Sequence, residues 1–347
     1  MGDVALTIPV IRAASAANPD LSFTIVTRPF FAPFFEGIPN LYLFFPDLQK
    51  RHKGFKGLFR LFLDLHALKK WEAVLDLHSV LRTHIVSNFF FLSGRKVYRI
   101  DKGRKEKKRL IKTKQIATLK HSTQRYADVF FKAGIPLNDF FPKNIIPSTK
   151  TLEAANKFLA SSNSGTGVKI GIAPFAKHDP KIWGVENFTK LIQLISTKYT
   201  ADFFLFGGGK EEIEKLSELS QSGTNIHMVA GKLKFDEEIA LISILDFMIS
   251  MDSSNMHIAA LTGIPTISIW GGTHPAFGFS AFGQPQEYSL QVPNNFLSCR
   301  PCSVFGNIPC IQNEKLCMKA ISPDLVLTQL EKFKLFKNST HSLNISE

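Results

Sequence analysis

No apolar run in this 347-residue sequence approaches the roughly 20 residues that a membrane-spanning helix needs. The opening Met1-Gly-Asp-Val lacks the basic-then-apolar pattern of a secretory signal, so the expected compartment is the cytoplasm. No strand-like segment runs into G-x-G-x-x-G with an acid about 20 residues on, which argues against a dinucleotide-dependent oxidoreductase. No Asp-x-Asp pair or comparable metal constellation is present, and no recognised nucleic-acid-binding module accompanies the basic residues, so nucleic acid is not an expected partner. Cysteine is scarce, with all four between Cys299 and Cys317. The Cys299-Arg-Pro-Cys302 pair, with Cys310 and Cys317, could close a small zinc site. The second pair is separated by six residues, where a zinc motif has about two. Reduced, locally packed thiols are therefore expected, and disulfides are not.

Acidic residues are also in short supply: 29 against 42 Lys and Arg, a net charge of +13. The excess is concentrated. From Arg95 to Arg125 thirteen Lys/Arg face only Asp101 and Glu106, and a smaller group, Arg51, His52, Lys53, Lys56 and Arg60, precedes it. Such a stretch suits an anionic partner, either a phosphorylated substrate or the surface of an anionic membrane. A solvated basic helix is the plain alternative.

The rest of the chain alternates between strand-like and helix-like segments, at a length that suits two domains. A glycine turn at Gly2-Asp3 leads into a helix to about Ala17, where a βαβ unit would ordinarily feed the turn from a strand; without one, the turn carrying Asp3 is expected to lack an anchor on one side. Strands are expected at 21–27, 41–45, 73–77 and 97–100, helices at 57–70, 79–91 and 122–133, and a loop over the basic segment 102–120. The strongest break in composition is Ser161-Ser-Asn-Ser-Gly-Thr-Gly167, which sets expected domains of 1–160 and 161–347. A second alternating series follows, with strands at 168–173, 201–206, 225–229 and 245–250. This is βαβα in two halves, an α/β architecture of two doubly wound sheets with a crevice between them.

The richest stretch is Met251 to Trp270. A buried strand ends at Ser250, a polar turn follows, and a short helix runs from about Ser253 to Thr262, closed by Gly263 and Pro265. Asp252 and Ser253 are both natural N-caps. Free amides and the helix dipole at such a turn attract anions, so a phosphate-bearing ligand is expected here; the plain alternative is that Asp252 only caps and His257 only packs. A second loop, Pro174 to Trp183, also leaves the carboxyl end of a strand, and its Lys181 could neutralise a departing diphosphate. Gly207-Gly-Gly209 is a weaker phosphate cradle. In the amino half, Asp3 is the candidate general base.

Taken together, Gly2-Asp3 with Thr7 and Pro9, Lys181-x-Trp183, Asp252-Ser-x-x-x-His257-x-Ala-Ala and Gly272-Thr273-x-Pro275 resemble glycosyltransferase family 9, the ADP-heptose:lipopolysaccharide heptosyltransferase family. The resemblance covers nearly the whole chain. It implies a GT-B fold of two Rossmann-like domains and an inverting, metal-independent transfer with no cofactor. It implies Asp3 as the base on the acceptor hydroxyl, Lys181 on the donor phosphates, and Asp252, Ser253, Ser254, His257 and Thr273 at the donor site. The donor would be a nucleotide sugar such as ADP-heptose. The acceptor would be a phosphorylated lipopolysaccharide core or lipid A, met by the basic stretch through Arg104, Lys105 and Arg125, with peripheral contact at the inner membrane. Position 254 is Ser where the family often has Gly, and His274 stands where an acid is common. A non-catalytic sugar-nucleotide or glycolipid binder of the same fold is the other expectation kept open. The helix near 324–333 is expected to pack back on the amino domain.

Overall fold

The computed structural model describes residues 1–139, 144–162 and 164–336. The chain forms two compact units, one holding Asp3–Lys105 and Lys120–Ile145, the other Glu106–Leu119 and the chain from Ile146 onward.

The first unit begins with two helices, α1 (Gly2–Ala5) and α2 (Ile8–Ala17), where one continuous run was expected. Pro9 lies in the first turn of α2, where its missing N–H has no helical partner to lose. Strands β1 (Phe23–Val26) and β2 (Leu41–Phe44) pair in parallel around a 3₁₀ turn at Pro29–Phe35. Helix α3 (Gly54–Leu68) leads to β3 (Ala73–Asp76), and α4 (Leu81–Leu92) crosses to β4 (Lys96–Arg99), again parallel. The basic stretch is not a loop: Arg104–Thr113 is helix α5, which from Glu106 on belongs to the second unit, with Lys107 and Leu110 buried three residues apart on one side. Lys, Arg, Glu and Leu are all strong helix formers, and the high charge concealed a narrow apolar stripe. Helix α6 (Ser122–Lys132) follows, capped by the side chain of His121.

Among the described residues the four strands of this unit form two separate two-stranded sheets, and most of their residues are only half-buried.

The second unit contains α7 (Thr149–Ser161), β5 (Val168–Ala173), α8 (Val185–Lys198), β6 (Ala201–Leu205), α9 (Lys210–Ser220), β7 (Ile226–Met228), α10 (Phe235–Ser243), β8 (Phe247–Met251), α11 (Ser254–Thr262), β9 (Thr266–Trp270), β10 (Ser289–Gln291), α12 (Leu316–Lys319) and α13 (Pro323–Lys332). Its sheet has six parallel strands in the order β10-β9-β8-β5-β6-β7. Strands β6, β8 and β9 are buried throughout, as expected of a parallel sheet covered on both faces. Helix α7, amino-terminal to the break in composition, packs on α10 within this unit. Helix α13 packs on α8 of the same unit, with Val326, Leu327 and Leu330 in its core and the Trp183 indole donating to Ile321 O at 2.7 Å. The expectation that it returns to the amino domain is therefore corrected: its apolar stripe is already covered.

The difference in sheet construction predicts a difference in local stability, because a two-stranded sheet is marginal alone. Amides of β5, β6, β8 and β9 should exchange with deuterium about 10²-fold or more slowly than those of β1 to β4; equal protection would contradict this. A second expectation concerns Glu238 in the first turn of α10, whose carboxyl burial pushes up to about 7 from 4.5. Between those values the folded chain holds a proton that the unfolded chain has released, so stability falls as pH rises through this window. Glu238→Gln should raise stability above pH 7 by about 1–3 kcal/mol and leave it little changed below pH 4.5, as read by urea unfolding.

Candidate active site

In the second unit the chain runs outward from β5 through β6 to β7, then returns to place β8 on the other side of β5. Open α/β sheets bind ligands outside the carboxyl ends of their strands at such a reversal. Ala173 and Ser250 are paired there, so the loops leaving β5 and β8 start side by side, with the loop leaving β9 next to them.

Each of the three loops delivers one polar group. Lys181 ends a 3₁₀ turn, Asp179–Lys181, in the first loop. Its ammonium lies 2.9 Å from Asp252 Oδ2, at the start of the second, and Thr273 Oγ1, in the third, donates to the same oxygen at 2.8 Å. Asp252 is 3% exposed and the Lys181 side chain 13%. An ion pair so far from water is strong only when further hydrogen bonds satisfy it, and Thr273 supplies one.

The loops are held in place by their backbones. Gly272 N donates to Pro180 O at 2.9 Å, and Cys302 N donates to Gly272 O at 2.8 Å. Pro180 O leaves no room for a side chain at Gly271, where a Cβ would lie 2.7 Å from it. Gly306, at φ +74°, packs on the stem of Lys181, and a Cβ there would fall 2.6 Å from Lys181 Cγ and Cδ. Arg300 is buried and donates to the carbonyls of Gly271, Val292 and Thr273 and to Gln291 Oε1. Burial pulls its guanidinium down to about 10, and the nearby cysteines oppose that shift.

Asp252 does not cap α11, which corrects one expectation. Ser253 takes the N-cap position in an extended conformation without a side-chain cap bond, and its hydroxyl lies 3.2 Å from that of Ser250. The capping potential of Asp252 is overridden by Lys181, 71 positions away in sequence. The first-turn amides of α11, from Ser254 on, are thereby left without a side-chain cap, and His257 is buried one turn further in. The glycine turn at 207–209 is no open cradle: Gly208 N donates to Glu212 Oε2 of α9 at 2.8 Å.

The cysteines are free thiols. Among the described residues no group of three or more His, Cys, Asp or Glu is arranged to hold a metal ion. Arg300 supplies the positive charge among the sulfurs.

In the first unit Asp3 is exposed in the first turn of α1, and its backbone carbonyl accepts from Tyr126 Oη at 3.3 Å. The loop leaving β3 is organised by buried Asp76, whose carboxylate accepts from His78 N, Ser79 N and Thr83 Oγ1 at 3.0, 2.8 and 2.9 Å. His78 is held below its ordinary value by burial and by Lys102, while Asp3 and Asp76 act the other way. Arg104 donates to Ser79 O at 2.9 Å and Lys105 is exposed. Arg125 is buried, donating to Lys120 O at 3.1 Å and to Asp101 O at 3.4 Å.

Residues 60–302 match the family model for glycosyltransferase family 9 (heptosyltransferase). The chain belongs to this family. Among family relatives, lipooligosaccharide heptosyltransferase 2 of Campylobacter jejuni subsp. jejuni serotype O:6 is 22% identical over 340 residues, 96% of each chain. The enzyme of that name from serotype O:2 is 27% identical over 175 residues, 49% of this chain and 51% of its own. The family 9 glycosyl transferase from Veillonella parvula DSM 2008 superposes with a TM-score of 0.75 at 20% identity, over 97% of this chain and 95% of its own. Escherichia coli heptosyltransferase WaaC, solved with ADP-2-deoxy-2-fluoro heptose, gives 0.65 at 18% identity and 96% of each chain. The fold is GT-B, and this family 9 protein is a glycosyltransferase.

Arg300, Gly306 and Asp76 escaped the sequence reading. Arg300 sits inside the Cys299–Cys302 motif, where attention falls on the sulfurs. Its substitution supplies a test of the support it gives. Arg300→Met leaves three carbonyls without their donor and should lower stability by about 2–4 kcal/mol in urea unfolding. Thr273→Val, which removes one hydrogen bond, should cost only about 1 kcal/mol. The reverse order would show that the turn does not depend on Arg300.

Proposed function

We propose that this glycosyltransferase transfers a heptose or similar sugar from a nucleotide-diphosphate carrier, ADP-heptose by preference, to a phosphorylated lipopolysaccharide core or lipid A acceptor. The observation that carries the proposal is the Lys181–Asp252–Thr273 network beside the uncapped start of α11. An ammonium has three donors, and Asp252 takes one of them. A helix start adds backbone donors and a favourable dipole, about 0.3–1 kcal/mol toward an anion. This combination suits a departing diphosphate. Family membership and the nucleotide sugar named with WaaC favour ADP-heptose as the donor.

In the proposed reaction Asp3 takes the proton of the acceptor hydroxyl as its oxygen attacks the anomeric carbon. The bond from that carbon to the diphosphate oxygen breaks with inversion, and the leaving diphosphate keeps the electron pair. Lys181 and the amides from Ser254 onward neutralise it, Asp252 and Thr273 hold the lysine in position, and Ser253 and His257 line the same turn. Arg104 and Lys105 meet acceptor phosphates. Arg125 serves them indirectly, by holding the Asp101–Gly103 turn just before them.

Calorimetric titration with ADP, UDP and GDP tests the donor half. ADP should bind preferentially, and Lys181→Ala should weaken it by about 10–100-fold. A folded chain that binds none of the three would overturn the donor site. The acceptor half is tested separately: Asp3→Asn should lower kcat by about 10²–10⁴-fold and leave ADP affinity unchanged. A variant that retains its rate would remove Asp3 from the mechanism.

A further inference from the structure

The basic stretch at 95–125 suited, from sequence, either a phosphorylated substrate or an anionic membrane surface, yet the structure commits several of its cations to partners within the protein. Arg99 bonds Ser87 and Asn88, Lys107 is buried with its ammonium 5.4 Å from the centre of the Phe279 ring, Lys114 donates to Cys299 O and Pro301 O, and Lys120 pairs with Asp128. A different element presents an uncommitted basic and apolar face.

Helix α3 has two apolar stripes. One, Leu58, Leu61 and Leu65, is buried in the small core with Phe90. The other is turned outward: Phe55, Phe59 and Leu63, spaced by four, are 66%, 44% and 46% exposed. Phe89 of α4 braces this second stripe, with ring centres 5.9 Å from Phe55, 5.1 Å from Phe59 and 5.7 Å from Phe62. Exposed phenylalanines held rigidly in this way are not scattered surface residues.

Lys56 and Arg60 each follow one of these rings, which puts them on the adjoining flank of the helix, and Lys53 precedes the first turn. Among the described residues none of the three has an acidic partner. The helix carries a single acid, Asp64, and it is neutralised locally: Arg51 and His52 bond it at 2.6–2.9 Å and hold its carboxyl far below the usual range. An outward aromatic stripe beside unpaired cations on one helix is the pattern of a segment lying in the plane of a membrane interface. Aromatic rings favour that depth, and Lys and Arg stems reach back toward the headgroups.

We propose that the outer face of α3, braced by α4, docks this protein on an anionic phospholipid bilayer. A second copy of the chain is the poorer occupant, since this face would bring unpaired cations of a +13 protein together. Docking here does not depend on which sugar or nucleotide the enzyme uses.

The experiment is co-sedimentation of the full chain with phosphatidylcholine vesicles, with and without phosphatidylglycerol. The chain should pellet with the anionic vesicles and stay in solution with the neutral ones. Phe55→Ser/Phe59→Ser and Lys56→Glu/Arg60→Glu should each reduce partitioning about tenfold or more, with a cooperative thermal transition retained because none of the four belongs to the buried core of α3. A Phe59→Trp reporter should shift its emission to the blue on anionic vesicles alone. Failure of the wild type to pellet, or full binding by the serine pair, would overturn the proposal; the latter would mean electrostatic adhesion through another face. Self-association of the wild type without lipid, abolished by the serine pair, would overturn it in favour of a dimer interface.

Discussion

One buried ion pair organises the loops at the carboxyl ends of the second unit's central strands. Lys181, Asp252 and Thr273 come from three loops, far apart in sequence, and each would be an ordinary surface residue by itself. Because Asp252 is nearly inaccessible, loss of the lysine would strand a carboxylate in a poorly solvated place, and loss of the carboxylate would strand an ammonium. The loops are therefore interdependent. The backbone bonds from Gly272 to Pro180 and from Cys302 to Gly272 explain why the pair needs so little side-chain support. The order of the parallel strands comes first, since it brings the three loop origins together before any side chain is considered.

The same logic separates what could be read from the sequence and what could not. The strands of the second unit were legible because a parallel sheet covered on both faces needs runs of apolar residues, and Phe247–Met251 and Thr266–Trp270 are such runs. Lys181 and Asp252 were legible as polar residues in loops past strand ends, and their common neighbourhood followed from the α/β pattern; Thr273 was indicated only by the family resemblance. The N-cap potential of Asp252 is not realised because N-cap preference is a local property, whereas its actual partner, Lys181, lies 71 positions away. Arg300 was illegible for a related reason: three of its four partners are backbone carbonyls, which leave no mark on side-chain identity.

Helix α5 was missed for the opposite reason. Its composition is dominated by charge, and its buried positions are only Lys107 and Leu110, three residues apart. Helix α13 was located correctly, but periodicity says only that one side is covered and not by which element. In the first unit, Asp76 lay at a strand end that the pattern did find, yet the turn it builds depends on the positive φ of Ser79, which few sequences signal.

The thiols around Arg300 carry a further consequence for the chemistry of the protein. Burial, followed by its sulfur neighbours, pushes Cys302 up to about 11, and burial likewise raises Cys317. At neutral pH these two are almost wholly protonated and therefore poor nucleophiles. The segment from Cys299 to Cys317, which contains all four cysteines, thus offers oxidants and alkylating agents little to attack at these two sulfurs. Cys302 and Cys317 lie near enough to Arg300 to act on its charge, and the burial that surrounds them suppresses their reactivity.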